Sequence, residues 1–443
     1  MGAFKAYDIR GIWGEDITKE LVYKIGFFLP KLLGTRQILV GRDVRLSSDD
    51  MFKALSNGIM DSGSDVLSLG VASTPMVYFS TVFFKVGGSV QITASHNPAK
   101  YNGLKVSRTN AVPVGGDTGL KELEKMCNEI PVVPVEKKGI IKEVDGKTPY
   151  LEFLRRYLPD FSNLKLAIDC SNGMASYIIP ELLGKQHIYL NDWFDGSFPA
   201  HEPNPLDPNT CRQLEKAVVD NHCDLGIIYD GDADRVMFVD EKGRYIQADF
   251  AMALIGKQVF KHKGDKCVAD IRTSKSTTEY LTALGYDVLV WKVGHVHAKA
   301  KIRETGAIFG GELAGHYYFS EFFCCDSAAF ATMMMLSVLA DEKRKGNSFS
   351  ALIDSIVKYS SSGEINFKLD RKDEAMQALY ERYAPKAEHV YDFDGYRIEY
   401  PTWWFNVRKS NTEPYLRLIV EAPTEAETKL KVEEITEIVK KFS

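Results

Sequence analysis

The sequence has few cysteines, and it lacks the spacings that make cysteine a metal ligand or a structural bridge. Its 443 residues contain seven cysteines, an odd number, with no Cys-x-x-Cys pair and no Cys/His cluster of metal-site spacing. Cys324 and Cys325 are adjacent, which suits burial better than a structural disulfide. We therefore expect free thiols, no cysteine-based metal site and a protein of the reducing cytoplasm.

Long apolar segments are also lacking. The apolar run at 21–33 is interrupted by Lys24, Pro30 and Lys31, so it is unsuited to crossing a bilayer. Residues 1–10 contain no apolar core segment and predict no signal peptide. The sequence thus predicts a protein that does not use a membrane.

An excess of positive charge is the third absence. Lysine and arginine number 55 against 60 aspartates and glutamates, which gives a formal net charge of -5. Such a balance provides no general basic field, so we expect neither nucleic acid nor an anionic membrane as a partner. A ligand that carries phosphate would have to be met by a local basic cluster.

Short apolar runs alternate with amphipathic segments along most of the chain. Residues 37–40 and 88–92 are predicted strands, and apolar residues at three- and four-residue spacing predict a helix capped by Ser47. This is a βαβ rhythm, whereas residues 359–443 combine several strands with two helices in a small α+β module. A polar, proline-containing stretch at 131–148 is predicted to connect domains, and the length favours about three domains of roughly 150 residues.

The chain is organised around residues 93–98, TASHNP in one-letter code. They follow the predicted strand at 88–92, so Ser95 lies where that strand ends, which is where parallel sheets bind ligands. Pro98 restricts the turn. His96 is adjacent and Lys105 follows, and a hydroxyl close to an imidazole and an ammonium could act as a nucleophile or phosphoryl carrier. A plain turn serine is the alternative for this residue alone.

A second polar loop, at 230–235, reads DGDADR and places three carboxylates at alternate positions. Crowded carboxylates repel one another unless a cation neutralises them. An EF-hand calcium loop is excluded, because Arg235 stands where glycine is needed and because the flanking segments are predicted strands. A phosphatase with an aspartyl nucleophile would leave Ser95 without a role. A magnesium site is favoured over these and over a plain acidic turn.

Two further loops carry polar groups suited to ligands, one to vicinal hydroxyls and the other to an anion. Glycines at 310–315 would let the backbone approach a ligand, and Glu312 with His316 could bind vicinal hydroxyls. Residues 408–414, RKSNTEP, provide cations, hydroxyls and an amide for an anion such as phosphate. A glycine-rich turn and a solvated surface turn are the respective alternatives.

Taken together, these loops resemble the α-D-phosphohexomutase family, most closely its bacterial phosphomannomutase/phosphoglucomutase branch. The resemblance covers essentially the whole length. It rests on five stretches in the family's order, namely residues 7–11, 93–98, 230–235, 311–316 and 408–412.

The resemblance implies an α/β fold with three topologically similar α/β domains with mixed sheets, plus a smaller C-terminal α+β domain, around a central cleft. We expect domain I at 1–143 with the phosphoserine loop and domain II at 144–249 with the metal loop. Domain III at 250–358 would carry the sugar-binding loop, and domain IV at 359–443 the phosphate-binding loop.

The resemblance also implies roles for individual residues. Phosphorylated Ser95 would carry the phosphoryl group, and one of its oxygens would join the aspartates in holding Mg2+, while Lys105 is a candidate general base. The complete expected site has catalytic residues Arg10, Ser95, His96, Lys105 and Arg235, metal ligands Ser95, Asp230, Asp232 and Asp234, sugar contacts Arg272, His295, Glu312 and His316, and phosphate contacts Arg408, Ser410, Asn411 and Thr412.

The implied activity is interconversion of hexose 6-phosphate and hexose 1-phosphate, of mannose or glucose or both, through hexose 1,6-bisphosphate. That bisphosphate would also act as an activator, and a monomer or homodimer is expected. A phosphoglucosamine mutase and a sugar-phosphate phosphatase remain alternatives, as does a non-catalytic phosphosugar-binding protein. One departure concerns specificity: Ala314 stands where this branch commonly has serine, so a hydroxyl is missing from the sugar loop.

Overall fold

The computed structural model describes residues 2–410 and 415–442, which form four units that are each built on one sheet. The first three sheets are mixed and are flanked by helices, while the fourth is antiparallel. This confirms the predicted fold class. The chain has one unit more than its length alone favours.

The first unit contains a seven-stranded sheet. Its elements are β1 (Ile9–Ile12), α1 (Lys19–Leu33), β2 (Gln37–Arg42), α2 (Ser48–Asp61), β3 (Asp65–Val71), α3 (Thr74–Phe83), β4 (Gly88–Ile92), β5 (Tyr101–Arg108), β6 (Val112–Pro113), α4 (Leu120–Glu129) and β7 (Ile141–Glu143). The strand order is β1-β5-β4-β2-β3-β7, with β6 on β5; β4, β2, β3 and β7 run parallel, and β5 is antiparallel to β4 and β1.

The second and third units each contain a five-stranded sheet. The second comprises α5 (Lys147–Arg155), β8 (Leu166–Asp169), α6 (Ala175–Leu183), β9 (Ile188–Leu190), α7 (Arg212–Asp220), β10 (Leu225–Tyr229), β11 (Val236–Asp240) and β12 (Tyr245–Ile246). The third comprises α8 (Ala248–Val259), β13 (Lys266–Asp270), α9 (Lys275–Leu284), β14 (Asp287–Trp291), α10 (His295–Thr305), β15 (Phe309–Gly311), β16 (Tyr317–Phe319), β17 (Cys325–Asp326), α11 (Ala328–Arg344) and α12 (Phe349–Ile356). Their strand orders are β12-β11-β10-β8-β9 and β14-β13-β15-β16-β17.

The first three sheets share one topological feature. In each, a run of parallel strands ends at a strand that turns back into an antiparallel neighbour: β4 into β5, β10 into β11, and β15 into β16. The intervening loops are residues 93–100, 230–235 and 312–316. The predicted Ser95, aspartate and Glu312 loops therefore occupy equivalent positions in three related units.

The fourth unit is the predicted α+β module. It consists of β18 (Ser360–Ser361), β19 (Ile365–Lys368), α13 (Lys372–Tyr383), β20 (His389–Tyr391), β21 (Tyr396–Glu399), β22 (Trp404–Lys409), β23 (Tyr415–Ala422) and α14 (Glu425–Val439). The strand order is β18-β23-β22-β21-β20, with β19 also on β23. Thr424 caps α14 through its hydroxyl, which accepts from the Glu427 N–H at 3.2 Å, as the sequence predicts.

One hydrophobic core runs continuously from the second unit into the third. It includes Ile227 and Phe238 of the second sheet together with Leu254, Phe309 and Phe330 of the third unit. Each fully buried side chain of this size contributes roughly 1.5–3 kcal/mol, so the shared core holds the aspartate loop and the Glu312 loop in a fixed relation. The first and fourth units have additional cores of their own.

Buried polar groups attach the fourth unit to the third. Arg397 of β21 donates to the carbonyls of Ile271 at 3.0 Å and Thr273 at 2.6 Å. Glu421 of β23 accepts from the Ser274 hydroxyl at 3.0 Å and from the Lys275 N–H at 3.1 Å. The fourth unit thus attaches to the third at the turn between β13 and α9.

Some local expectations differ from the structure. The stretch at 131–148 is not only a connection, because β7 within it pairs with β3 at the edge of the first sheet and α5 begins at Lys147. Ser47 occupies the N-cap position of α2 but does not cap it, since its hydroxyl instead accepts from the Asn102 amide at 2.8 Å. The expected boundary at 249/250 falls inside α8; the four domain ranges otherwise stay a prediction.

The first two expectations concern free thiols and membrane-spanning segments. All seven cysteines are free, and all but Cys324 are buried. Within the described residues, none of the helices combines the length and the apolar character needed to span a bilayer.

Candidate active site

Ser95 is completely buried and has a left-handed backbone. Its φ is 52°, a region that costs a non-glycine residue roughly 1 kcal/mol or more. The N–H of Ser95 donates to the Thr93 hydroxyl at 2.8 Å, and its own hydroxyl donates to Asp230 Oδ2 at 2.8 Å. His96 Nδ1 lies 3.3 Å from the same hydroxyl oxygen. The predicted pairing of Ser95 with the aspartate loop is therefore present.

The aspartate loop is a tight turn between β10 and β11. Asp230 Oδ1 accepts from the N–H groups of Asp234 at 3.1 Å and Arg235 at 3.2 Å, which closes the turn. A Cβ at Gly231 would lie 2.6 Å from the Ser95 carbonyl oxygen, so only glycine lets the two loops meet. Strands flank the turn on both sides, which agrees with the argument against an EF-hand.

Three buried carboxylates converge beside Ser95. One oxygen from each of Asp230, Asp232 and Asp234 can be chosen so that all lie within 4.8 Å of one another. Asp232 Oδ1 and Asp234 Oδ1 are buried without a hydrogen-bond partner among the described residues. Buried oxygen donors left unsatisfied in this way are what a hard divalent cation requires. The cluster therefore fits a magnesium-type ion.

Lys105 supplies positive charge to the same cluster from β5. Its Nζ donates to Asp232 Oδ2 at 2.7 Å and to Asp234 Oδ2 at 2.5 Å. Burial opposes the charged form, but Asp232, Asp234 and Asp230 outweigh it and raise the pKa of Lys105. The charged ammonium suits neutralisation of these carboxylates. The general-base role expected for Lys105 stays a prediction.

Asp230, whose carboxylate accepts from the Ser95 hydroxyl, has a raised pKa. Burial raises it well above the usual value, and the neighbouring Asp232 and Asp234 raise it further. Asp232 differs: burial opposes ionisation there too, but the charge and hydrogen bond of Lys105 lower its pKa. Arg235 and Lys105 lower the pKa of Asp230 but do not outweigh its burial and the neighbouring carboxylates, which again favours a further cation at this point.

Arg10 and Arg235 place two guanidinium groups beside the Ser95 loop. Arg10 donates to Asn97 Oδ1 at 2.7 Å and pairs with Asp8, and Arg235 Nε lies 3.8 Å from Asp230 Oδ2. The Nε atoms of both arginines are buried without a hydrogen-bond partner among the described residues. Burial lowers the pKa of His96, and Arg235, Arg10 and Lys105 lower it further. The region is thus rich in N–H donors suited to an anion.

The Glu312 loop is fixed by hydrogen bonds to both carboxylate oxygens. Oε1 accepts from the Gly294 N–H at 2.5 Å and Oε2 accepts from the Tyr318 hydroxyl at 2.5 Å. His316 closes the loop, with its Nδ1 2.7 Å from Asp326 Oδ2 and 3.7 Å from Asp234 Oδ1. The third unit thereby reaches the aspartate cluster of the second.

Arg272 lies in the turn after β13 and His295 is the first residue of α10, both in the third unit. Arg272 forms a bidentate pair with Asp270, at 3.1 Å from Nε and 2.7 Å from Nη2. Asp270 Oδ2 also accepts from the Leu313 N–H at 2.8 Å, which ties Arg272 to the Glu312 loop. His295 opens α10, and its ring centroid is 6.2 Å from that of His316. The structure therefore brings the four predicted sugar contacts into one region.

The predicted phosphate contacts are described only in part. Arg408 is buried near the end of β22, in a strand and not in the expected turn, and its Nε has no hydrogen-bond partner among the described residues. Burial lowers the pKa of Arg408, and repulsion from Arg272 lowers it further. The Ser410 N–H donates to the Tyr415 carbonyl at 2.9 Å. Asn411 and Thr412 lie outside the described residues.

Sequence reasoning missed a buried ion pair behind His316. Lys299 Nζ lies 2.6 Å from Asp326 Oδ1, and neither side chain is exposed. The ammonium also lies 3.9 Å from the centroid of the Tyr78 ring. Lys299 is in the middle of α10 and Asp326 follows two cysteines, so no local motif marks either residue. The only signal in the sequence is that Lys299, an ionisable residue, lies on the apolar face of a predicted helix.

Comparisons with known proteins agree with this architecture. Family models of phosphoglucomutase/phosphomannomutase match residues 1–131 (alpha/beta/alpha domain I), 148–243 (domain II), 247–359 (domain III) and 364–438 (C-terminal domain). A phosphomannomutase of Escherichia coli is 37% identical, with 99% of each chain covered. One from Methanocaldococcus jannaschii is 36% identical, covering 99% of this chain and 98% of its own.

A solved structure gives the same result. The structure of a phosphoglucomutase/phosphomannomutase family protein from Burkholderia thailandensis superimposes with a TM-score of 0.89 at 28% identity, covering 99% of this chain and 97% of its own. With models matched along the four units in order, and relatives above 30% identity over nearly the full length, this chain belongs to the phosphoglucomutase/phosphomannomutase family.

Proposed function

We propose that this chain interconverts hexose 6-phosphate and hexose 1-phosphate, of mannose or glucose or both, by reversible phosphoryl transfer through Ser95. The observation that carries the proposal is the hydrogen bond of the buried Ser95 hydroxyl to Asp230, inside a cluster of three carboxylates. A serine that only shaped a turn would not need to meet an acidic cluster from another unit. A serine that carries phosphate beside a cation site, by contrast, would need to meet such a cluster.

The aspartates and the basic side chains divide the charge of the transfer between them. Asp230, Asp232 and Asp234, with an oxygen of phosphorylated Ser95, would hold Mg2+. When bound there, Mg2+ neutralises charge on the phosphoryl oxygens. The catalytic residues Arg10, His96, Lys105 and Arg235 surround the same point with N–H donors, and transfer of a phosphoryl group depends on such positioning and charge stabilisation. The unpartnered Nε atoms of Arg10 and Arg235 support this assignment.

The other end of the substrate would be held by the third and fourth units. Arg272, His295, Glu312 and His316 would contact the sugar. Arg408, Ser410, Asn411 and Thr412 would hold its non-reacting phosphate. The charge of Arg272 lowers the pKa of Arg408, and a dianionic phosphate between them would offset that repulsion.

The reaction balances as two transfers. In the first, the free hydroxyl of the hexose phosphate attacks phosphorus on phosphorylated Ser95, the phosphorus–Oγ bond breaks, and the proton of the attacking hydroxyl is balanced by reprotonation of Ser95. Hexose 1,6-bisphosphate results. After it turns end for end, the Ser95 hydroxyl attacks the other phosphorus and the bond from that phosphorus to the sugar oxygen breaks. The proton lost by Ser95 is balanced by protonation of that sugar oxygen as the second hexose phosphate leaves. Free hexose 1,6-bisphosphate is therefore also the activator that loads an unphosphorylated Ser95.

Mass spectrometry tests this proposal. The protein is incubated with hexose 1,6-bisphosphate and Mg2+, its intact mass is measured, and any added phosphate is mapped to a peptide. We expect one added phosphate, on Ser95, and none on the Ser95→Ala variant. Ser107→Ala on the adjacent β5 is the matched control and should be labelled like the wild type. A wild-type chain whose Ser95 carries no phosphate after the incubation, or which carries phosphate elsewhere, contradicts the proposal.

Product analysis separates the proposal from its alternatives. Hexose 6-phosphate should yield hexose 1-phosphate, whereas a phosphatase would release inorganic phosphate because water would replace the sugar hydroxyl. Turnover should be faster on mannose or glucose 6-phosphate than on glucosamine 6-phosphate. The reverse order would favour a phosphoglucosamine mutase.

A further inference from the structure

Arg45 lies in the turn between β2 and α2, far in sequence from the residues of the proposed site, and it is only 2% exposed. A guanidinium carries five N–H donors in a rigid fork. All five find acceptors here, because Nε donates to Asp43 Oδ2 at 3.2 Å and the two Nη atoms each donate to two backbone carbonyls.

Three of the four carbonyls belong to the Ser95 loop, and the fourth is that of Tyr101, the first residue of β5. Nη2 donates to the carbonyls of Ser95 at 2.8 Å and Asn97 at 2.6 Å. Nη1 donates to those of Pro98 at 2.9 Å and Tyr101 at 3.1 Å. Arg45 therefore gathers the backbone of residues 95–101 around one cation, and without it these buried carbonyls would lose a charge-assisted partner.

Asp43 holds the guanidinium in this orientation. Its Oδ1 accepts from the Arg45 N–H at 3.0 Å and from the Ser48 hydroxyl at 2.6 Å, while Oδ2 takes the Arg45 Nε. The ring of Phe198, from the second unit, lies 5.0 Å from the guanidinium carbon. The guanidinium is thus paired with Asp43 and packed against the Phe198 ring, so its position is fixed independently of any ligand.

Fixing this loop matters because Ser95 is strained and closely packed. Its left-handed φ of 52° must be maintained by contacts outside the residue. Arg45 donates to the Ser95 carbonyl, and Gly231 of the aspartate loop lies so close to the same oxygen that a Cβ there would be 2.6 Å from it. A shift of this peptide would carry the Ser95 hydroxyl away from Asp230.

We propose that Arg45 is a positioning residue for phosphoryl transfer, which sets the reach of the Ser95 oxygen toward both the metal-binding aspartates and the sugar. This inference rests on the proposed function of Ser95. Among the described residues, the Arg45 side chain donates only to Asp43 and to backbone carbonyls of residues 95–101. It should therefore influence the transfer step and not the binding of the sugar phosphate.

The test compares Arg45→Lys with Arg42→Lys. Lysine keeps the charge but cannot donate to four carbonyls at once, so kcat should fall about a hundredfold, the effect of a displacement of about 1 Å. KM should be unchanged, and the rate of Ser95 labelling by hexose 1,6-bisphosphate should fall in parallel with kcat. Arg42, at the end of β2, pairs with Asp49 and not with the Ser95 loop; Arg42→Lys should keep wild-type kcat.

Two results would overturn the inference without touching the proposed function. One is a labelled wild type together with an Arg45→Lys variant that is labelled as fast and keeps its kcat below its unfolding temperature, as expected of a purely structural residue. The other applies if Arg45→Lys does not fold, and it uses Asp43→Asn, which presents an amide N–H₂ to the guanidinium and turns it. This variant should also lower kcat at constant KM. A wild-type kcat in Asp43→Asn refutes the inference. A wild type that is not labelled on Ser95 overturns both proposals.

Discussion

Lys299 and Asp326 form a fully buried ion pair at 2.6 Å, and the other oxygen of Asp326 lies 2.7 Å from His316 Nδ1. Burial alone would oppose ionisation of Asp326, but Lys299 and His316 hold the pKa of this carboxyl well below its usual value. A pair of this kind gives little net stability, because desolvation offsets much of the attraction, yet breaking it is costly since one charge is left buried and alone.

Asp326→Asn should therefore destabilise the protein by about 3–5 kcal/mol. The double variant Lys299→Met/Asp326→Asn should be less destabilised than Asp326→Asn, because no unpaired ammonium remains under the Tyr78 ring. Thermal unfolding of the wild type, the two single variants and the double variant gives the coupling. Simple addition of the two single effects would show that the pair is not coupled as the geometry indicates.

Mg2+ should raise the unfolding temperature of the wild type. An ion that binds only the folded protein stabilises it by about 2.7 kcal/mol at a hundred times its dissociation constant. Asp230→Asn removes one of three buried, mutually repelling carboxylates. It should increase stability when a chelator is present and abolish most of the Mg2+ shift.

Scanning calorimetry with Mg2+ and with a chelator measures both effects. Asp117→Asn, which changes an exposed carboxylate, is the matched control and should keep the full shift. An Asp230→Asn variant that is stabilised by Mg2+ as strongly as the wild type would remove Asp230 from the metal site.

Arg408→Met should weaken substrate binding. A hydrogen bond to a charged group contributes about 1.5–3 kcal/mol, so we expect KM to rise by about 10- to 100-fold. The change in kcat should be smaller, because the non-reacting phosphate is held in the ground state and in the transition state alike. Steady-state kinetics provide the measurement, with the exposed Arg382→Met as the control. A fall in kcat at constant KM would place Arg408 at the reacting phosphate instead.

The loops that carry chemistry could be predicted from the sequence because each follows a strand with a clear apolar pattern. Gly88–Ile92 and Leu225–Tyr229 are strands as predicted, and Ser95 and Asp230 follow directly after them. Local chemistry dictates these turns, through Pro98 and through the carboxylate of Asp230. The resemblance to a family then joins loops that are distant in sequence.

The residues that hold those loops could not be predicted in the same way. Arg45 meets the Ser95 loop only because β2 and β4 are neighbours in the sheet. The edge strand β7 has only three residues, all exposed, so it carries no apolar pattern. Ser47 shows the same limit, since a tertiary contact with Asn102 replaces the local cap. Support of this kind depends on sheet order, which sequence periodicity does not encode.

Glu421 should make the stability of the fourth unit's attachment depend on pH. Burial raises the pKa of Glu421 to about 7, and the charge of Asp249 raises it further, while hydrogen bonds from Trp404, Ser274 and Lys275 oppose the rise. Its pKa in the unfolded chain is near 4.5. A raised folded pKa means that the native protein binds the extra proton, so the stabilisation is complete below about pH 4.5 and is lost as pH rises through about 7.

The expected loss is about 3 kcal/mol over that window. Glu421→Gln keeps an oxygen that can accept from the Trp404 indole and the Ser274 hydroxyl, but it does not titrate. The unfolding temperature of this variant should therefore fall less than that of the wild type between about pH 5 and pH 8. Asp249, whose pKa burial raises to about 6, accounts for part of the remaining dependence.

Calorimetry of wild type and Glu421→Gln across this range isolates the contribution of the buried carboxyl, since the two proteins share every other titrating group. The control Glu433→Gln instead removes one exposed carboxyl. The control should follow the wild-type curve. Parallel curves for wild type and Glu421→Gln would mean that Glu421 titrates alike in the folded and unfolded chains. The turn at Ser274 and Lys275 would then hold the fourth unit equally well at either end of the range.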